Sequence, residues 1–314
     1  MFSECSWTCV ADGGTARDGS ARRRRTADVV RPRRSGLRPR GPGTARRGGR
    51  RAAARVSPEV QRLGPARAAA ARVGIPHSGT DQRGYSPRAR PRGRISYRMS
   101  QLTEDVVALI EATAPRGGKA HVVGHDWGAA VAWTLAAARP DVVATLTALS
   151  VPHPAAFMRA VFTSRQFLMS WYMFAFQLPW IPELLIRRLD PSTAPRATER
   201  MAAGQTAARL ARDLEFLVAS GALTPALNWY RAMPFSTSSQ LAEVTVPTLF
   251  INSDSDPVLD PTGGEHTRRF VTGPYTFHTL AGVGHWIPEQ AAPEVAELLR
   301  VHLSSSLPGP ERGR

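Results

Sequence analysis

The stretch VVGHDWGAAVAW, residues 122–133, decides how this chain is read. AHVVG, residues 120–124, is a short buried-type strand, and from Asp126 an alanine-rich run keeps helical register until Pro140 stops it. Strand, abrupt turn and helix therefore meet within three residues. Gly124 and Gly128 flank the turn, as such a junction requires when its middle residue is held in a strained conformation and neighbouring side chains must not collide. Asp126 is thereby presented at the edge of a sheet, and the following amide, that of Trp127, points at whatever reacts there, aided by the helix N-terminus. A plainer reading also fits these residues: a tight turn whose aspartate caps the helix.

Outward from this junction, helical and strand patterns alternate from residue 81 onward, the arrangement of a parallel sheet covered by helices. MSQLTEDVVALIEA, residues 99–112, puts Leu102, Val106, Leu109 and Ile110 on one helical face, with Ser100 available as a cap. ATLTALSV, VPTLFINSD and YTFHTLAGVG (residues 144–151, 246–254 and 275–284) read as further strands, and PEVAELLRVHL, residues 293–303, as a closing helix. Between them residues 152–241 are rich in aromatics and short helical patterns and poor in strand signal. The fold class expected is α/β, a mostly parallel sheet with a helical insertion.

Two further residues shift the balance at the turn. Asp256 in SDSDPVL and His285 in GVGHWIPEQ each follow a strand pattern, which gives the chain order nucleophile, acid, histidine. Three such residues in order at strand ends point to one site rather than to three solvated loops. His121 and His125 have an H-x-x-x-H spacing, but on a strand and turn that spacing does not bring both to one face, so no metal is expected.

The opening of the chain has another character. Residues 1–80 contain 18 arginines against five acids, a net of +13 out of +16 for the whole chain. RRRR at residues 22–25 and RPRGPGTARRGGRRAAAR at residues 38–55 lack hydrophobic periodicity and read as disordered. Three readings stand side by side: an arm for nucleic acid or another anionic surface, an arginine-rich targeting segment, or a GC-rich coding sequence read out of frame. Cys5 and Cys9, the two cysteines, make neither a disulfide framework nor a four-ligand zinc site, and no secretory signal is visible. The longest apolar run, FLMSWYMFAFQLPWIPELLI (residues 167–186), is interrupted by Gln177, Pro179, Pro182 and Glu183, which argues against a membrane span. Its aromatics Trp171, Tyr172, Phe174, Phe176 and Trp180 are expected to pack as core of the insertion, with some left to line an apolar pocket.

Seven short pieces in order, DQRGYS (81–86), GHDWG (124–128), VPHP (151–154), FQLP (176–179), NWYR (228–231), SDSDP (253–257) and GHW (284–286), make residues 81–303 resemble an α/β-hydrolase of the epoxide hydrolase group with a helical cap. The resemblance implies a core of residues 81–151 and 242–304, a cap of 152–241, an aberrant N-terminal region of 1–80 and a disordered tail of 305–314. It implies Asp126 as nucleophile, Asp256 and His285 completing a triad, the Trp127 amide in the oxyanion hole, and Tyr230 as the acid that protonates the ring oxygen. A second such tyrosine usually precedes the FQ pair; that position is Ala175, and Tyr172, three residues earlier, is the candidate substitute. His153 in VPHP is expected to be structural. The family also carries a His-Gly-x-Pro segment supplying the other half of the oxyanion hole; the nearest fragment here, GIPHSGT at residues 74–80, lacks that order, and the first strands are missing or replaced by the arginine-rich segment. Their loss would leave an unpaired apolar sheet edge.

A carboxylate at the turn suits displacement at a saturated carbon, leaving an alkyl ester that activated water then hydrolyses. The expected function is opening of small apolar epoxides to diols, with water as co-substrate, no cofactor and a cytoplasmic setting. The alternatives are a haloalkane dehalogenase of the same fold, a catalytically impaired or non-enzymatic product because the His-Gly-x-Pro segment is absent, and an arginine-tailed anion-binding protein.

Overall fold

The computed structural model describes residues 7–11, 77–78, 81–115, 117–189, 196, 199, 202–235 and 238–305. Six strands form one sheet: β1 (Trp7–Ala11), β2 (His77–Ser78), β3 (Ala120–His125), β4 (Val143–Leu149), β5 (Thr248–Ser253) and β6 (Tyr275–Leu280), in the order β2-β1-β3-β4-β5-β6. β3 through β6 run parallel. All residues of β3 and β5 are buried, as near-continuous apolar runs in a doubly covered parallel sheet should be.

Helices α1 (Met99–Thr113) and α2 (Trp127–Ala138) flank β3 in sequence. α1 starts two residues earlier than a Ser100 cap would give, behind Arg98 with no side-chain cap, so Ser100 falls inside the first turn and is not the N-cap. After β4 the chain forms α3 (Pro154–Thr163), α4 (Gln166–Met169), α5 (Trp171–Ala175), α6 (Ile181–Arg187), α7 (Ala207–Ser220) and α8 (Leu223–Ala232). The apolar run of residues 167–186 is thus divided among three short helices, and among the described residues no helix is long and apolar enough to cross a membrane. α9 (Pro261–Thr267), α10 (Ile287–Gln290) and α11 (Ala292–Ser305) follow among the described residues.

Alternation along the strands divides the core into two layers. Val122, Leu146, Ala148 and Phe250 face a large cluster with α1, α2 and the inserted helices, whereas Val123, Leu149, Leu249 and Ile251 face Ile287, Val295 and Leu299 of α10 and α11. The chain is therefore an α/β structure, a mostly parallel sheet with helices on both faces. Entry to and exit from the inserted helices are tied together by His153: its Nδ1 accepts the Ala155 N–H (3.2 Å), its Nε2 meets the Ala242 carbonyl (3.1 Å), and its ring stacks on Phe270. Burial pushes this histidine down to about 4, so it is neutral and able to serve as acceptor and donor at once.

One expectation is corrected at the edge of the sheet. No parallel strands precede β3 among the described residues, yet β3 is not left open: β1 pairs with it antiparallel from Ala11↔Ala120 to Trp7↔Gly124, and β2 pairs with β1. A buried strand's N–H and C=O groups need partners, and WTCVA supplies them with β-branched and aromatic residues suited to extended backbone. The rest of the expected disordered arm, and residues 306–314 of the tail, lie outside the described residues.

Candidate active site

Asp126 joins β3 to α2 with φ 51° and ψ −122°, a conformation that costs a non-glycine residue about 1–3 kcal/mol. Its N–H donates to Leu149 O on β4 (3.3 Å), and its carbonyl accepts from Ala130 (3.1 Å), so the strain is held by both elements. Gly124 is required by space: a Cβ there would lie 2.3 Å from the Gly128 carbonyl oxygen. The side chain of Asp126 makes no capping hydrogen bond to its own helix, which removes the plain helix-cap reading.

Asp256 and His285 converge on it. Asp256 follows β5, and its Oδ1 accepts the N–H groups of Val258 (2.7 Å) and Leu259 (3.0 Å). Its Oδ2 meets His285 Nδ1 at 2.8 Å, while His285 Nε2 lies 3.7 Å from Asp126 Oδ1. The backbone of His285 is anchored as well: its carbonyl accepts from Ser150 Oγ (2.8 Å) and from His125 Nε2 (2.9 Å). Burial alone would depress the imidazole, but the carboxylates of Asp256 and Asp126 on either side outweigh it and push it up to about 10. The resting arrangement is an imidazolium between two carboxylates. A reaction that neutralises Asp126 would remove one of them and move the histidine toward a working base.

On the other side of Asp126 lies a cavity of about 540 Å³, within the range of small-molecule sites. Trp127, Tyr172 and Tyr230 line it with Asp126, and the rest of the wall is chiefly Leu, Met, Val, Pro and Phe. Tyr230 packs edge-on against Trp127 (centroids 5.0 Å) and 6.0 Å from Tyr172. Tyr230 is 5% exposed and Tyr172 7%, so neither phenol is a surface aromatic in water. Burial first, then the Asp126 and Asp256 carboxylates, raise Tyr172 well above the usual phenol range, which keeps it protonated. The structure thus brings all six sequence-predicted residues together: two carboxylates, a histidine, an indole-bearing turn and two phenols.

Residues that sequence reasoning missed hold Tyr230 in position. Its neighbour Arg231 is buried, donates bidentately to Glu183 (2.7 and 2.9 Å), and donates also to the Phe176 (3.0 Å) and Leu178 (2.6 Å) carbonyls. Burial would raise Glu183, but the guanidinium and the Thr224 hydroxyl hold it below the ordinary carboxylate range. Gln177 Nε2 donates to the Tyr230 carbonyl at 2.8 Å. Trp229, on the other flank, donates its indole N–H to Arg83 O (2.9 Å), and Gly84 passes close enough to α8 that a Cβ would lie 3.1 Å from Pro225 Cβ. DQRGYS, FQLP and NWYR are therefore one assembly around α8; NWYR and FQLP carried the signal, but only their separation in sequence was visible.

Other expectations fare differently. Of the aromatics expected as core, Tyr172 and Phe176 are buried, whereas Trp171, Phe174 and Trp180 are exposed, because α5 and α6 are single short helices with solvent on their outer side. His121 bonds Thr145 Oγ1 (2.8 Å) and His125 the His285 carbonyl, and among the described residues no group of three or more His, Cys, Asp or Glu is placed to hold a metal ion. Of GIPHSGT, His77 and Ser78 form β2 and the remainder lies outside the described residues.

A profile of the alpha/beta hydrolase fold matches residues 78–292. The chain is 36% identical over 231 residues to the AB hydrolase superfamily protein YfhM of Bacillus subtilis, covering 72% of this chain and 79% of that one. It is 31% identical to epoxide hydrolase A of Mycobacterium tuberculosis, covering 70% of this chain and 79% of the relative. Among solved structures, the Bacillus megaterium epoxide hydrolase in complex with an inhibitor superposes with a TM-score of 0.61 at 26% identity, covering 73% of this chain and 84% of that one.

Proposed function

The chain belongs to the alpha/beta hydrolase fold family as an epoxide hydrolase-like member, and from that membership we propose that it opens small apolar epoxides to diols through an ester on Asp126. The observation that carries this reading is the pairing, across one apolar cavity, of a carboxyl group backed by a histidine–aspartate pair with two buried phenols.

In the first half-reaction Asp126 Oδ attacks a ring carbon, the carbon–oxygen bond opens, and the departing alkoxide takes a proton from Tyr230 or Tyr172. An alkoxide leaving group needs such an acid, whereas a halide needs only N–H donors; two buried phenols facing the carboxylate favour the epoxide. Formation of the ester abolishes the Asp126 charge; once the imidazolium has given up its proton to the tyrosinate left by the first step, neutral His285, oriented by Asp256, can take a proton from water. The water attacks the side-chain carbonyl carbon of Asp126, the oxyanion is met by the Trp127 amide, and on collapse the ester bond from that carbon to the alkyl oxygen breaks, so that the diol leaves with one oxygen taken from the aspartate and the proton that His285 took from water. The His-Gly-x-Pro sequence that supplies a second donor in this group is absent from the chain, so hydrolysis of the ester is the step expected to be slow, by about 10²–10³-fold relative to a two-donor site.

The test is incubation of the full chain with an aryl epoxide and, separately, a primary alkyl bromide. Diol from the first and no bromide from the second is the expected result; bromide release without diol would replace the reading with dehalogenation, and neither product would mean an impaired site.

A further inference from the structure

The outer side of the inserted helices is unusually apolar for a surface. Phe162 is 81% exposed, Trp180 74% and Leu168 70%, and Trp171, Phe174 and Leu185 accompany them. Scattered apolar residues on a surface need no explanation, but a set on four consecutive helices does. Phe167 and Phe174 touch ring to ring at 5.9 Å, and Met158, exposed one turn before Phe162 on α3, is also in the wall of the cavity. Trp180 is held at φ 51°, a left-handed conformation costly for a bulky residue, with its ring outward.

Charge on the same segment has one sign. In residues 154–189 the exposed charged side chains are Arg159, Arg165, Arg187 and Arg188, and the single acid, Glu183, is turned inward against Arg231. Arg165 lies 3.7 Å from Asp260 but is 82% exposed, so it remains available. Exposed aromatic and leucine side chains on a segment whose exposed charges are all arginine match the interface of an anionic bilayer, where the apolar groups enter the headgroup–acyl boundary and the guanidinium groups meet phosphate.

We propose that this face docks on an anionic phospholipid membrane, lying in the interface without crossing it. Docking sets the cavity wall at Met158 beside the bilayer, where apolar small molecules concentrate. The inference does not depend on the reaction assigned to the cavity.

The test must separate this face from the arginine-rich first 80 residues, which would also attract such vesicles. Full-length protein is added to vesicles of phosphatidylglycerol and phosphatidylcholine with brominated acyl chains, and tryptophan quenching is recorded alongside sedimentation. Quenching is expected, and it should be lost in the W171F/W180F double variant, which keeps its thermal melt. Sedimentation should weaken about fivefold for each of Arg187→Ala and Arg188→Ala, and at least tenfold for F162S/L168S/L185S. Sedimentation without quenching of Trp171 and Trp180 would assign binding to the arm and overturn the proposal. Self-association in the absence of lipid, abolished by F162S/L168S/L185S and accompanied by no quenching, would overturn it in favour of a second copy of the chain.

Discussion

Asp126 and His285 control each other through charge. The imidazole stands near 10 because two carboxylates outweigh its burial, so Asp126→Asn should bring it down as well as remove the proposed nucleophile. Diol formation is expected to fall by at least about 10⁴-fold, and NMR titration of the His285 ring should show the downward shift; an unmoved histidine would contradict the electrostatic coupling. In the proposed mechanism the phenols act in the other half-reaction. Tyr230→Phe and Tyr172→Phe should each slow ester formation, by about 10²–10⁴-fold for the stronger donor, while leaving the rate of ester hydrolysis, measured by rapid quench, nearly unchanged. At this scale the sequence was highly legible, because glycines around a strained aspartate and polar residues after strands are local signals. Tyr172 was harder: it stands one turn from the expected position, and only the path of α5 brings its hydroxyl toward Asp126 and Asp256.

At the level of elements, α8 is held by polar bonds that its amphipathic pattern does not reveal. Arg231 joins Glu183 and the carbonyls of Phe176 and Leu178. Arg231→Leu leaves Glu183 buried without its cation and should destabilise the protein by about 3–5 kcal/mol in urea unfolding. The double variant R231L/E183L, which removes both charges, should recover much of that loss while activity stays low if the carbonyl bonds are what aim Tyr230. Strand and helix positions were readable to within a few residues from periodicity, yet two features were not. Antiparallel pairing of β1 with β3 joins segments more than a hundred residues apart, and no local pattern encodes such a partner. The exposure of Trp171, Phe174 and Trp180 also escaped composition, since an aromatic run reads as core until the helices' outer neighbours are known.

The whole molecule responds to acid through buried histidines outside the site. His153 and His302 are both pushed down to about 4, His153 by burial and His302 by burial and then by the neighbouring His121. Their unfolded values lie near 6.5, so between about pH 6.5 and 4 the unfolded chain binds more protons and stability falls as pH falls. Each is worth roughly 2–3 kcal/mol across that window, visible as a falling melting temperature that His302→Leu should partly flatten. His285 has the opposite sign: its raised value gives stability that is present below about 6.5 and lost as pH climbs through about 10. These couplings need the assembled sheet and helices, which is why His153 could be read as structural in sequence but its link to Ala242 could not.

The most direct measurement is a single turnover, enzyme in excess over epoxide, in water enriched in ¹⁸O. If Asp126 forms the ester, the first diol carries no label from solvent, and the heavy oxygen is found in the peptide containing residue 126. Label in that first diol, with an unlabelled aspartate, would mean that water attacks the epoxide directly.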